Sequence, residues 1–466
     1  MEREVTLMEM LDMRESRAKR QQELLAQYSA VLISFSMNIA GPVKNSPLIR
    51  RGFREGLFRL EEGLRGASMK LIHREQVDCV TGCEAMLMVS GDGEAVKKLC
   101  VELEDEDSLG RLFDLDVLEP GRSWSREQLG LPPRRCLICG AEGKGCASRR
   151  LHSVQALREK TGTILSDYFM QKDREDVASM AVRALLYEVS TTPKPGLVDC
   201  ANNGSHRDMD RFTFLDSATA LTRYYHRAVQ IGQEGAKERP EQTFARLKTA
   251  GLRGEREMFS ATGGINTHKG AIYSLGTVCA AVGRLWSAER PIAAVKDILC
   301  ECSRMVSQQV EADFAAISAA GETAGERFYH LYGLRGIRGE MADGLPAVSE
   351  VGLPALRWGM EQGLSVQEAG VYVLLAIMAR GTDTNLINRG GLPGAQWAVQ
   401  QARDLLKNGT LPSREEIELL DQKMIERNLS PGGCADLLAV VYFLYFICPD
   451  GTLSEPTEGC SSGGAN

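Results

Sequence analysis

Apolar residues recur along this chain in two rhythms, and the change of rhythm predicts its organisation. Leu7 to Tyr28 carries Leu7, Met10, Leu11, Leu24 and Leu25 on one face of a charged segment, which predicts an amphipathic helix. Val31 to Ile39, Cys79 to Val89 and Arg111 to Leu118 are β-branched or alternating runs, which predict strands. Beyond the polar stretch Ser166 to Asp176 the apolar runs lengthen and take helical spacing: Val177 to Val189, Ala271 to Trp286, Ile292 to Gln309, Val366 to Arg380 and Cys434 to Cys448. The expected fold class is therefore multidomain, with an α+β first domain (residues 1–168) followed by a mainly α-helical second domain (169–466). Gly/Pro/Asn clusters separate the later helices, so a site built from inter-helix loops is expected there. No internal repeat is apparent, and the Gly/Ser-rich tail from Gly451 is expected to be mobile.

Composition narrows the function classes. The chain has 466 residues, 43% hydrophobic and 25% charged, which excludes disordered, collagenous and fibrous chains. Its net charge of −7 argues against a general nucleic-acid binder. Up to residue 170 there are 25 basic and 26 acidic side chains, against 30 and 36 beyond it, so any phosphate site must be local. Thirteen cysteines without a leader pattern point to a reducing, cytoplasmic location. The longest apolar run, Leu437 to Cys448, is shorter than the roughly 20 residues needed to cross a bilayer, so no membrane association is expected.

In the first part, Gly110-Arg-Leu-Phe-Asp-Leu-Asp-Val117 spaces Asp114 and Asp116 two apart. In a strand both carboxylates share one face, while Phe113, Leu115 and Val117 share the other. That geometry suits Mg²⁺ held by carboxylates and substrate phosphates; the alternative is an edge strand with two solvated aspartates. Strand parity puts Arg111 on the apolar face, so it reaches phosphate only if the strand bends near Gly110. Cys136, Cys139, Cys146 and His152 give C-x2-C-x6-C-x5-H, a set able to close a tetrahedral Zn²⁺ site or, alternatively, a reduced cysteine cluster in a turn.

In the second part, four polar clusters lie at the ends of apolar helices. Thr191-Thr-Pro-Lys-Pro-Gly-Leu-Val-Asp199 breaks a helix and is expected to expose Lys194, and Asn202 to Asp210 adds His206, Asp208 and Asp210. Gly263 to Gly270 places Asn266, His268 and Lys269 at the start of a helix suited to phosphate. Arg380 to Asn385, with Asp383 and Asn385, is followed by Arg389, and Ser430 to Asp436 opens the last helix. Singly each reads as cap-and-turn chemistry; together they predict a ligand site. No Walker A sequence, Rossmann glycine fingerprint or Gly-x-Ser-x-Gly elbow is present, which disfavours P-loop kinases, dinucleotide dehydrogenases and α/β-hydrolases.

Gly41 to Pro47, the Gly110 to Val117 motif and the Arg135 to His152 cysteine segment resemble the citrate lyase holo-acyl-carrier-protein synthase family over about residues 5 to 165. The four later clusters resemble the triphosphoribosyl-dephospho-coenzyme A synthase family over about 175 to 450. The resemblance implies two consecutive steps in one chain. ATP and 3'-dephospho-CoA give 2'-(5''-triphosphoribosyl)-3'-dephospho-CoA and adenine. The phosphoribosyl-dephospho-CoA group then passes to a serine of the apo acyl carrier (gamma) subunit of citrate lyase, releasing pyrophosphate. It implies that the first domain is a nucleotidyltransferase whose motif includes Arg111, Asp114 and Asp116.

On this reading Asp199, Asp208 or Asp210 activates the ribose hydroxyl or stabilises an oxocarbenium-like transition state. His206 or His268 protonates adenine. Lys44, Lys194, Asn266, Lys269, Asn385 and Arg389 hold phosphates or nucleotide, with Mg²⁺ at Asp114 and Asp116 and at Asp383 and Asp436. Arg50, Arg51 and Arg54 either meet the carrier or form a solvated turn. The rival functions are the equivalent malonate decarboxylase maturation enzyme and a non-catalytic nucleotide-binding carrier chaperone.

Overall fold

The computed structural model describes residues 3–316, 329–330, 333–381 and 383–449, so the tail from Gly451 lies outside the described residues. The chain divides into two compact units, Met1–Lys172 and Asp173–Asn466.

The first unit is built on a five-stranded antiparallel sheet in the order β2-β3-β1-β4-β5, with β1 Val31–Met37, β2 Leu71–Cys79, β3 Gly82–Val89, β4 Phe113–Glu119 and β5 Arg122–Trp124. The run Cys79 to Val89, expected as one strand, is a hairpin end: Gly82 takes φ +127°, a value open to glycine, and starts β3. Helices α1 Leu7–Gln27, α2 Pro47–Gly66 and α3 Gly93–Asp105 complete the unit's core. Phe35 of β1 stacks on Phe53 of α2 at 4.8 Å and meets Phe113 of β4 edge-on at 5.5 Å, so α2 and the apolar side of β4 share one face of the sheet. On the other face Leu24 of α1 packs with Leu32, Met86 and Met88, and Gln21 donates to Ser34 Oγ at 3.0 Å. The Asn45-Ser46-Pro47 sequence starts α2: Ser46 caps it by accepting from Ile49 N, and Pro47 occupies the first turn.

A short helix, α4 Gly143–Ser148, precedes α5 Val154–Ser190. The polar stretch Ser166 to Asp176, read from sequence as a seam, is helical throughout and belongs to α5.

The second unit contains no strand among the described residues. After α5 come α6 Arg211–Ala220, α7 Thr222–Glu234, α8 Pro240–Ala261, α9 Lys269–Arg284, α10 Val295–Ala315 and α11 Gly336–Ala342. A π-helical turn, Ala347–Gly352, leads into α12 Leu353–Glu361, α13 Val366–Arg380, α14 Thr384–Leu406, α15 Arg414–Glu426 and α16 Gly432–Ile447. Helices α9, α13 and α16 are buried along most of their length, as helices apolar on every side must be. Where α7 crosses α9, a Cβ on Gly232 or Gly283 would overlap a backbone carbonyl of the other helix. Helix α14 is kinked at Gly391, which adopts φ +64°.

Candidate functional site

In the first unit, β4 pairs with β1 so that Asp114 lies opposite Ser36 and Asp116 opposite Ser34. Both carboxylates therefore project from the face that α1 crosses, while Phe113, Leu115 and Val117 are buried on the other. Asp116 stays exposed, yet the desolvating sheet around it and the charge of Asp114 raise its pKa. Asp114 lines a cleft of about 150 Å³ with Arg14, Arg17, Ser36, Lys44 and Glu84. Arg17 is neutralised by Glu84. Arg14 is exposed and has no ion-pair partner among the described residues. Burial and the charge of Arg14 hold Lys44 below the usual lysine range, and its Nζ donates to Ile39 O. Uncompensated positive charge beside two carboxylates is the arrangement a metal-bound polyphosphate completes.

Arg111 escapes strand parity because Gly110–Leu112 is a 3-10 turn. Its Nη2 donates to Arg135 O at 2.5 Å. Sequence reading missed Arg134, whose guanidinium donates to Phe113 O and lies 3.5 Å from Asp114 Oδ1. Among the basic residues of α2, Arg50 donates to Asn45 Oδ1, Arg51 rests on the Phe169 ring at 4.0 Å, and Arg54 is exposed.

The sulfur and nitrogen atoms of Cys136, Cys139, Cys146 and His152 all lie within 4.8 Å of one another, the tightest such gathering among the described residues. Burial pushes the Cys136 thiol up, but the N–H groups of Cys139 and Ile138 outweigh it and lower its pKa. Cys146 is pushed up to about 11, chiefly by its hydrogen bond to Cys139.

In the second unit three helix N-termini converge. Asp383 caps α14, accepting from Asn385 N at 2.7 Å and Leu386 N at 3.3 Å, while its other oxygen accepts from Cys434 N in the first turn of α16 at 2.9 Å. Asp436 of α16 lies against the start of α9, where a Cβ on Gly270 would overlap its carboxylate. Burial, then Glu188 and Asp383, push Asp436 well above the ordinary carboxylate range, and Ala271 N–H offsets this only in part. Burial also raises Asp383 and Glu188. Glu188 and Asp383 both act on Asp436, and Glu188 is ion-paired with the buried Lys194.

His268 precedes α9 and is 3% exposed. Thr267 Oγ1 donates to Ser217 Oγ, which in turn lies 2.7 Å from His268 Nδ1 in hydrogen-bond contact. The ring's other nitrogen, Nε2, is buried without a partner among the described residues. Burial, reinforced by the charge of Lys194, lowers the pKa of His268 to about 3. The imidazole is therefore neutral at pH 7 in the unliganded protein.

Several residues do other work than their spacing suggested. Lys194, expected to be exposed, is 1% exposed and ion-paired to Glu188, because the Pro-Lys-Pro-Gly loop folds inward under the last helices. Asp199 accepts from Lys194 N, Ala201 N and Asn202 N at 2.7–3.0 Å and so organises that loop. Asp210 caps α6 with Thr213. Asn266 Oδ1 accepts from Lys269 N, and Lys269 pairs with Glu255 at 3.0 Å. Asn385 is exposed beside Gly432.

His206 receives Arg389 Nη2 on Nδ1 at 3.2 Å and meets Ser430 Oγ at 3.0 Å through Nε2. Burial and then Arg389 lower its pKa to about 4. Asp208 is exposed near this pair and accepts no hydrogen bond among the described residues. Arg389 on α14 and Ser430 just before α16 connect this pair to Asp383 and Asp436. Sequence reading missed Glu188, which sits inside an apolar helical run, and Asp421, which is buried and accepts from Gly196 N at 2.7 Å and Asn202 Nδ2 at 2.8 Å.

Residues 5–168 match the family described as apo-citrate lyase phosphoribosyl-dephospho-CoA transferase, CitX, and residues 174–452 match ATP:dephospho-CoA triphosphoribosyl transferase, CitG. Protein CitXG of Leuconostoc mesenteroides subsp. cremoris is 35% identical over 94% of this chain and 97% of its own. Protein CitXG of Haemophilus influenzae is 34% identical over 95% and 96%. The probable 2-(5''-triphosphoribosyl)-3'-dephosphocoenzyme-A synthase of Vibrio cholerae serotype O1 is 42% identical over 58% of this chain and 87% of its own. A solved chain from Archaeoglobus fulgidus covers 50% of this chain and 97% of its own, at 18% identity and a TM-score of 0.33. No helix among the described residues is long and apolar enough to cross a membrane. The two matches, end to end along one chain, favour citrate lyase over the malonate decarboxylase alternative and catalysis over a binding-only chaperone. The chain belongs to the CitXG family of bifunctional transferases, in which an apo-citrate lyase phosphoribosyl-dephospho-CoA transferase is followed by a triphosphoribosyl-dephospho-CoA synthase.

Proposed function

We propose that the residues gathered at the two sites divide the two reactions between residues 1–168 and 169–466, in the cytoplasm. The observation that carries the second site is the buried, unpartnered Nε2 of His268 in a unit that also buries Glu188, Asp383 and Asp436. An unmet buried polar group costs about 1–3 kcal/mol, so a site that keeps one is shaped for a hydrogen-bonding partner on a ligand. Burial holds all three acids above the ordinary carboxylate range, so they are poised to give up protons when a divalent cation arrives with a polyphosphate. The acids do not form a tight protein cage among the described residues, which suits Mg²⁺ because it retains waters and substrate oxygens. Bound there by Asp383 and Asp436, Mg²⁺ would neutralise the triphosphate.

His268 donates to the nucleotide from its neutral form, and a bound triphosphate raises its pKa toward proton transfer to adenine. Arg389, Asn385, Asn266 and Lys269 line the approach with donors. Of the three candidate aspartates, Asp208 alone keeps a free carboxylate, and it takes the proton of the attacking ribose hydroxyl of dephospho-CoA. The hydroxyl oxygen bonds to the anomeric carbon of ATP as the bond to the base breaks, and adenine leaves with a proton.

In the first unit, a nucleotidyltransferase reading assigns Arg14 and Lys44 to the donor's triphosphate. Asp114 and Asp116 would hold Mg²⁺, which spreads the charge developing on the phosphates. The carrier serine oxygen bonds to the phosphorus nearest the ribose as its proton passes to solvent, that phosphorus loses the oxygen bridging it to the next phosphate, and pyrophosphate departs with that oxygen. The partner is the apo acyl carrier subunit of citrate lyase. Cys136, Cys139, Cys146 and His152 take Zn²⁺. Chromatographic detection of adenine from ATP and dephospho-CoA tests the second site: His268→Ala should abolish it with the helical content unchanged, and unchanged turnover would reject the assignment.

A further inference from the structure

The segment between β5 and α5 lacks a core of its own. Among its described residues from 125 to 153 the buried ones are Cys136 and Cys146, while Ile138 and Leu151 stand exposed. A stretch of 29 residues with so little apolar burial needs another source of order. Arg126 ties its start to Glu104 and Asp105, and the rest of its order is gathered round the cysteines: Cys136 N donates to Ala141 O at 2.7 Å, Gly143 N to Arg134 O at 2.8 Å, and Gly140 turns the loop with φ +73°. The thiols of Cys139 and Cys146 are free and 3.4 Å apart, and His152 Nε2 is 3.3 Å from Cys139 Sγ. Tetrahedral Zn²⁺ with Zn–S bonds of about 2.3 Å separates its sulfurs by about 3.8 Å, so a shift of a few tenths of an ångström accommodates the ion.

The residues immediately before Cys136 reach the transfer site. Arg134 lies 3.4 Å from the buried Glu104, 3.5 Å from Asp114, and donates to Phe113 O, while Arg135 O receives Arg111. We propose that the Cys136/Cys139/Cys146/His152 cluster is a structural zinc staple that positions Arg134 and Arg111 against the Asp114/Asp116 edge, making carrier modification, and not adenine release, dependent on zinc. This rests on the reading of Asp114 and Asp116 as the transfer site. The ion touches no substrate; Arg134 and Arg111 are positioning residues whose guanidinium groups set the field around the two carboxylates.

The test uses the full chain, elemental analysis for zinc, limited proteolysis, and labelling of apo carrier protein from supplied donor. Stoichiometric zinc is expected in the unaltered protein. Cys139→Ser should lose it, become cleavable within residues 125–153, and label the carrier roughly 100-fold more slowly, as outer-shell losses at metal sites do, with adenine release unchanged. Cys139→His should restore zinc and labelling. Arg134→Gln should keep zinc and slow labelling, and the Cys139→Ser/Arg134→Gln double variant should be no slower than the slower single variant. Zinc-free active protein would overturn the metal. Zinc-loaded protein whose labelling ignores Cys139→Ser, or additive losses in the double variant, would overturn the positioning while leaving the metal standing. Full labelling by Asp116→Asn would instead overturn the transfer site itself.

Discussion

The two units handle phosphorylated substrates with opposite electrostatic strategies. In Met1–Lys172 Asp114 and Asp116, the carboxylates proposed for transfer, stand on the face of an antiparallel sheet, one half-buried and one exposed, with arginines reaching toward them from flanking segments. In Asp173–Asn466 Glu188, Asp383 and Asp436 are withdrawn among helix ends, each pushed up in pKa by burial, and Asp436 by Glu188 and Asp383 as well. On the proposed assignment of these residues, the contrast follows from the acceptors. A serine on a folded carrier cannot enter a deep pocket, so its partner site must be open. Cleaving a base from ribose develops positive charge on a small molecule, and a water-poor, carboxylate-rich pocket stabilises that charge most.

The contrast is broken most severely at the buried acids. Asp436→Asn should lower adenine release by roughly 100- to 1,000-fold, the scale of losing a pre-oriented electrostatic group, while labelling from supplied donor is unaffected; equal loss of both activities would deny the division of labour. Asp116→Asn should give the mirror image, roughly a 100-fold loss of carrier labelling with adenine release intact, the size of a typical general acid–base or metal-ligand contribution. Arg14→Ala, which removes an unpaired cation from the open cleft, should raise the KM for donor by roughly tenfold with little change in kcat, in line with a charged hydrogen bond.

Two smaller effects sharpen the picture of the buried site's frame. Asp421→Ala strands Gly196 N–H and frees Asn202, which should cost about 1–3 kcal/mol and lower Tm by roughly 3–8 °C on a calorimetric scan. His206 has a folded pKa of about 4 against 6.5, so the folded state resists protonation. Its stabilising contribution is full above pH 6.5 and is lost as pH falls toward 4, by at most about 3 kcal/mol at about 1.4 kcal/mol per pH unit. The stability advantage of the unaltered protein over His206→Gln should shrink across that window in denaturant titrations.

Period and spacing made the apolar helices and central strands legible: Val366 to Arg380 is α13 residue for residue, and Leu7 to Tyr28 is α1 with one residue to spare. They could not reveal α2 or α3, whose buried faces are interrupted by glycine and lysine; Gly52 and Gly56 pack where larger residues would clash, and Lys97 buries its stem to donate to Leu115 O. At the sites, residue type announced chemistry but not direction. Lys194 and Asp199 looked like ligands because a Pro/Gly loop carries them, yet they turn inward to brace it. Glu188 hid inside a helical period, and Arg134 lay outside every motif, because tertiary approach alone gives either residue its neighbours.

Helix α5 carries one further consequence, for anyone who would separate the two activities. Its hydrogen-bond ladder runs unbroken from Val154 to Ser190, and Phe169, one residue past 168, is the platform on which Arg51 lies. Severing the backbone after Tyr168 would orphan up to four amides and four carbonyls and strip that platform from α2.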